Sequence, residues 1–138
     1  MQENYKHIIT IVVINVVVFG LTYIAQDTYL FGWIMHNNIN VFIAALSLVL
    51  VIFNLTYTSY SLLVGHILSL VIAYFLGSFI NTRHLAKITA DMSNAEVYRL
   101  QTRYDVFIWF ISLVIILIVS LSIHCYKLSQ EKRQENLE

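Results

Sequence analysis

Apolar positions along the chain gather into four runs, at 8–25, 41–53, 62–80 and 106–123. Crossing the ~30 Å hydrocarbon layer of a bilayer takes roughly 20 helical residues. The second run reaches that length only by recruiting Ile39 and residues 54–57. The short polar interruption that follows it, "NLTYTSYS", reads as the turn of a tight helical hairpin. A single helix over 39–80 would be roughly 60 Å long, far more than one crossing needs. The pattern therefore predicts an all-α integral membrane protein, a four-span helix bundle that forms one domain. The expected spans lie at about 7–26, 39–57, 59–81 and 104–126.

One long polar stretch, "SFINTRHLAKITADMSNAEVYRLQTRYD", parts the third and fourth runs. Within it, Ser93-Asn94-Ala95-Glu96 has the form of a capping box. The Ser hydroxyl satisfies an orphan backbone N–H, and the Glu three residues on reaches back. Val97, Leu100, Tyr104 and Phe107 continue from it at helical spacing into the fourth span. Leu85, Ile88 and Met92 form a matching stripe leaving the third. The expectation is an extramembrane helical hairpin over 82–104, folded back at 91–94 with the two stripes packed together. Arg83, Lys87, Arg99 and Arg103 would point outward as partner-contact candidates, partly offset by Asp91, Glu96 and Asp105.

Composition agrees with a membrane class. The chain is 59% hydrophobic, with a mean hydropathy of +0.73, against about 45–50% apolar for a soluble domain. Eight Lys and Arg balance eight Asp and Glu. A formal charge of zero leaves no bulk attraction for nucleic acid. The lone cysteine, Cys125, excludes an internal disulfide and a thiolate metal cluster. It is juxtamembrane, which permits acylation, although a plain buried thiol is the commoner case. The first run follows Lys6 and is longer than the core of a signal peptide. Tyr23 also sits where a small residue would precede a cleavage, so the run reads as an uncleaved span.

Aromatic residues group at two levels under the four-span reading. Tyr5, Tyr57, Tyr60 and Tyr126 fall at one interface. Tyr23, Tyr29, Trp33, Phe79, Tyr104 and Trp109 fall at or near the other, as interfacial belts do. The first loop, "QDTYLFGWIMHNN", carries no Lys or Arg and is expected to lie in the interface, with a re-entrant lid as the alternative. Orientation follows the distribution of Lys and Arg. Lys6, Lys127, Lys132 and Arg133 lie on one side, and the four basic residues of the hairpin on the other. Lys6 ahead of a loop free of Lys and Arg breaks the tie toward cytoplasmic termini. The tie itself also permits a dual-topology protein that inserts both ways. Ile, Asn and Tyr content suits an AT-rich bacterial genome, so a bacterial plasma membrane is the expected location.

The clearest internal pattern is on the third span, where Ser61, Gly65, Ser69, Ala73 and Gly77 recur every four residues. Such a stripe lets two helix backbones approach closely, which matters where lipid removes the hydrophobic drive. Its partner is another span of this chain, a second copy or a different protein. His66 lies beside the stripe, and an ionisable group in a span is a functional candidate. Its expected partners are Asn15, Ser112 and Tyr74. The structural reading, a neutral His as polar glue, competes with a proton or ligand contact. Asn15 on the first span is likewise either glue or a pathway residue.

His7, His36, His84 and His124 lack metal-ligand spacing such as an i, i+4 pair. No Ser/His/Asp arrangement is readable, and no cofactor or metal is expected. The tail over 127–138 reads as a charged helix extending the fourth span into water. The absence of Pro and the scarcity of Gly mark no break of the kind from which transporters build sites. The expectation is a non-catalytic membrane protein that binds a partner protein or forms a homo-oligomer, as an accessory subunit, an immunity-type protein or a sensor module. The alternative is a small oligomeric transporter or channel with His66 and Asn15 near the pathway.

Overall fold

The computed structural model describes the backbone of residues 2–135 and the side chains of residues 5–130. Lys132 and Arg133 in the tail lie outside the described side chains, and residues 136–138 lie outside the described backbone. All elements among the described residues are helices: α1 (Gln2–Ile24), α2 (Tyr29–His36), α3 (Ile39–Ile52), α4 (Thr56–Leu85), α5 (Asn94–Gln101) and α6 (Asp105–Glu135). This is a helical membrane protein by length and composition. Three segments are long and apolar enough to cross a bilayer on their own: Tyr5–Ile24, Thr56–Leu85 and Asn94–Gln130. At 1.5 Å per residue α4 is about 45 Å long, so part of it stands beyond the hydrocarbon layer.

The second predicted span takes a different form. Its helix, α3, has 14 residues, about 21 Å, which is short of a crossing by itself. It meets the length criterion only together with α2, from which it is bent by 61°. The predicted interfacial loop is thus half helix. α2 inserts Leu30 and Ile34 fully into the core. The bend needs neither Pro nor Gly. Asn38 takes it in the left-handed conformation, with φ of 54°, a region Asn tolerates because its side chain can bond locally. Asn54, with φ of 60°, makes the turn between α3 and α4 in the same way.

α1, α3, α4 and α6 run side by side, each antiparallel to the next. The pairings are Asn15 with Ser47, Asn40 with His66, and His66 with Trp109. α4 is the hub and packs most extensively on α6. The core gathers around Ile11, Ile34, Ile43, Val51, Leu63, Ala73 and Leu113. Trp109, placed by its sequence position in an interfacial belt, is instead part of this core at 6% exposure, and Trp33 packs its ring near it, 6.4 Å between centroids.

The hairpin over 82–104 is only partly as expected. α4 ends at Leu85, and residues 86–93 are turns and irregular backbone. The capping box is present: Ser93 Oγ accepts from the Glu96 backbone N–H, and the Glu96 carboxylate accepts from the Ser93 N–H. α5 then stops at Thr102, whose ψ of 126° breaks the continuity expected into the last span. Ile88, Met92, Val97, Leu100 and Tyr104 are half-buried, whereas Leu85 and Phe107 are exposed. None of the residues of α5 is fully buried.

Candidate functional site

The small-residue stripe of α4 faces α6. All five members, Ser61, Gly65, Ser69, Ala73 and Gly77, are buried. A Cβ on Gly65 would lie 3.3 Å from Ile116 Cγ2 and 3.4 Å from Leu113 Cδ1. A Cβ on Gly77 would collide with the Asp105 carboxylate. Ser61 Oγ lies 2.7 Å from Ser120 Oγ, and the Tyr57 hydroxyl donates to the Ser120 carbonyl at 3.1 Å. Of the partners open to the stripe in the sequence, the structure supplies another span of the same chain.

His66 is 1% exposed, and its polar partners differ from the expected ones. Asn15 lies in another layer, and neither Ser112 nor Tyr74 bonds to His66. The Trp109 indole donates to Nδ1 at 3.2 Å, while Nε2 lies 3.0 Å from Asn40 Oδ1. An indole N–H can only donate, so Nδ1 must be the acceptor and the ring proton sits on Nε2. His66 then donates to Asn40. Asn40 Nδ2 donates to Thr22 Oγ1 at 2.6 Å, and Thr22 donates to the carbonyls of Val18 and Phe19. The direction of each bond from Trp109 through His66 and Asn40 to Thr22 is thereby fixed, and α1, α3, α4 and α6 each contribute one side chain. A proton added at Nδ1 would set two donors against each other.

A second polar layer lies one turn or two away. Asn15 Nδ2 donates to the Ile11 carbonyl at 2.9 Å and to Ser47 Oγ at 3.4 Å. Ser59 Oγ donates to the Ser47 carbonyl at 2.8 Å. Asn15 also lines an apolar cavity of about 310 Å³ between α1 and α3, with Asn40, Val12, Val16, Phe19 and Leu48. Asn15 and His66 share no hydrogen bond, but Asn40, which bonds His66, lies on the same cavity wall as Asn15.

The four basic candidates also divide. Arg83, Lys87 and Arg99 are exposed, with Arg83 lying over the Phe79 ring at 4.4 Å. Arg103 turns back onto the bundle. Its guanidinium lies 5.2 Å from the Tyr29 ring centre and 3.6 Å from Asp105 Oδ2, the one ion pair among the described residues. Asp105, expected as an outward counter-charge, is 4% exposed, and Asn81 Nδ2 donates to both its oxygens at 3.1 and 3.2 Å. Cys125 is exposed rather than buried. Among the described residues no group of three or more His, Cys, Asp and Glu side chains could hold a metal ion.

Sequence reasoning missed Thr22, Asn40, Trp109 and Asp105. Asn40 and Trp109 carried a readable signal, since each is a polar-tipped residue within or beside an apolar run. Outside the membrane, a Thr89 hydrogen bond holds the Asp91 carboxyl below its ordinary range. The Ser93 side-chain bond does the same for Glu96, helped by its bond to the Ser93 backbone. No protein family, curated protein or solved structure matches the chain.

Proposed function

We propose that this chain is a non-catalytic membrane protein of four crossings that acts by binding a partner protein, as an accessory subunit, an immunity-type protein or a sensor module. The observation that carries the reading is the fully paired central histidine. Both His66 nitrogens are taken, by Trp109 and Asn40, so this ring offers no open nitrogen to a passing proton. The small-residue stripe is covered by α6. What faces outward is the segment between α4 and α6, where Lys87 and Arg99 are exposed and a fully formed capping box holds a helix with no buried residue. An ordered, charged, unburied helix is a surface for contact.

The test is co-purification of the tagged chain in mild detergent, repeated with Lys87→Glu and Arg99→Glu. A stoichiometric foreign subunit that the double reversal releases, with helicity unchanged, is the expected result. A clean homodimer indifferent to both substitutions would sink the reading. The second reading, a small oligomeric transporter or channel, draws on the cavity beside Asn15. Proton or ion flux in liposomes that His66→Ala or Asn15→Leu abolishes, in a normally assembled protein, would favour it instead.

A further inference from the structure

α1 carries a polar atom that its own bundle leaves unsatisfied. The Asn15 amide is oriented by its nitrogen: Nδ2 donates to the Ile11 carbonyl at 2.9 Å and to Ser47 Oγ at 3.4 Å. The Ser47 hydroxyl is itself spent on the Ala44 carbonyl at 2.8 Å. A carboxamide oxygen accepts hydrogen bonds, yet no donor reaches Asn15 Oδ1 among the described residues. Nor is this oxygen sealed in. Among the described residues the buried side-chain polar atom without a partner is His84 Nδ1, so Oδ1 is open to the outside of the bundle, on the side of the apolar cavity between α1 and α3. Asn40 shares that wall, but its amide is committed to His66 and Thr22.

Depth decides what can answer the oxygen. Asn15 stands midway along the span Tyr5–Ile24, roughly 15 Å from either end at 1.5 Å per residue. Lipid tails hold no donor and water is absent at that level, and an unpaired carbonyl in hydrocarbon is costly. The occupant of this face must therefore be apolar and bring an N–H or O–H group to the middle of the bilayer. A second copy of the chain does both. A two-fold axis along the membrane normal carries Asn15 to the same depth whatever the tilt, and the amide is at once donor and acceptor, so the surface is complementary to itself. The long Ser47 bond leaves one Nδ2 hydrogen easily re-aimed.

Gly20 points the same way by a different route. It lies one helical turn beyond Val16, on the same side of α1. A glycine inside a helix lowers its stability, and no contact within the chain asks for one here, since an added Cβ would meet nothing within 4 Å. A missing side chain on a lipid-facing surface does allow the backbone of a second helix to come close.

We propose that the face of α1 bearing Val12, Asn15, Val16 and Gly20 is a homodimer interface within the bilayer. Two copies inserted in the same orientation meet there about a two-fold axis, and their Asn15 amides exchange hydrogen bonds. This face lies on different elements from the segment between α4 and α6, so a second copy and a foreign partner occupy separate surfaces, and failure of one reading leaves the other standing.

The experiment uses the full chain in liposomes, labelled with donor or acceptor dye at Cys125, which is exposed. Energy transfer between copies, followed as the protein-to-lipid ratio is raised, should saturate as a dimer. Asn15→Leu should weaken association about three- to thirtyfold, the scale of hydrogen bonds between spans. Gly20→Leu should weaken it as well, with helicity unchanged, because the added side chain meets nothing in its own bundle; it keeps the test decisive where Asn15→Leu does not fold. Val71→Leu, exposed on α4, should have no effect. In a Cys125→Ser background, Val12→Cys and Phe19→Cys should each cross-link to itself. Transfer that never saturates, or that is unchanged in either the Asn15 or the Gly20 variant, would overturn the interface. Cross-linking of Val12→Cys to Phe19→Cys in place of the self-pairs, or to a foreign chain alone, would overturn it too.

Discussion

Replacing three glycines by alanine, one at a time, probes how tightly α4 and α6 are joined. At Gly20 on α1, an added Cβ meets nothing within 4 Å. The only change is the gain in helix propensity, up to about 1 kcal/mol in favour of the variant. At Gly65 the same gain is offset by contacts of 3.3 and 3.4 Å to the ends of Ile116 and Leu113, side chains that can give by a few tenths of an ångström, so the net change is near zero. At Gly77 the new methyl would occupy the place of the Asp105 carboxylate and lie 3.2 Å from its Cα.

The carboxylate cannot yield cheaply, because Asn81 and Arg103 hold it. Losing a hydrogen bond to a charged group removes about 1.5–3 kcal/mol, and overpacking adds about 1–3 kcal/mol. After the propensity gain, Gly77→Ala is expected to destabilise by about 1.5–5 kcal/mol. Reversible unfolding in mixed detergent–SDS micelles, followed by circular dichroism, gives all three values. Adding Asp105→Ala to Gly77→Ala should produce less loss than the sum of the two, since each then relieves the other. A Gly77→Ala protein as stable as the parent would refute the assigned contact between α4 and α6.

Ala73→Leu, on the buried stripe, should disrupt packing or assembly, whereas Val71→Leu on the exposed face should be tolerated; thermal aggregation in detergent separates them. His66→Ala should lower stability by about 1 kcal/mol, in keeping with hydrogen bonds between spans, while partner co-purification is retained. Ser93→Ala should destabilise α5 by about 1 kcal/mol, the usual loss of an N-cap, read as faster amide exchange over Asn94–Gln101. The Glu96 carboxyl is held below its ordinary range in the folded chain. Its contribution is therefore full above the unfolded carboxylate range and is lost as pH falls through the lowered folded value. Protection factors across α5, taken relative to the intrinsic exchange rate at each pH, should fall on acidification, and protection indifferent to acid pH would contradict the bond. Ser93→Cys should be labelled from outside and reporters at both termini should be cytoplasmic; equal labelling from both faces would instead establish dual topology.

Element type and the capping box were legible because they rest on local patterns, an apolar run or a Ser three residues before a Glu. The stripe was legible for the same reason: small residues four apart share a face whatever they meet. What they meet is a property of two helices far apart in sequence, and Gly77 against Asp105 could not be read from either. The bend at Asn38 was hidden because its residue type permits a left-handed conformation without demanding it. His66 was rightly singled out as buried and polar. Its partners differ from those expected because they come from Asn40 and Trp109, at the edges of the second and fourth spans, and which residues meet across helices is set by packing rather than by any local pattern. Asp105 was misread for a related reason. A charge at the edge of an apolar run is ordinarily solvated, and only the missing side chain of Gly77, with the Asn81 amide, makes room for it inside.

The hydrogen-bonded chain through the bundle also has a direction in time. Its members, Thr22, Asn40, His66 and Trp109, are joined in the order in which they occur along the polypeptide. During synthesis each arriving helix brings the group that its predecessor lacks. The Thr22 hydroxyl is met by the Asn40 amide, the Asn40 carbonyl by His66, and the last free nitrogen of the ring by the indole of the final helix. No step requires a later helix before an earlier one, so a chain threaded into the bilayer from its N-terminus can close these bonds one at a time. Until Trp109 arrives, one acceptor on His66 stays open, and that vacancy distinguishes a bundle still awaiting its last helix from a finished one.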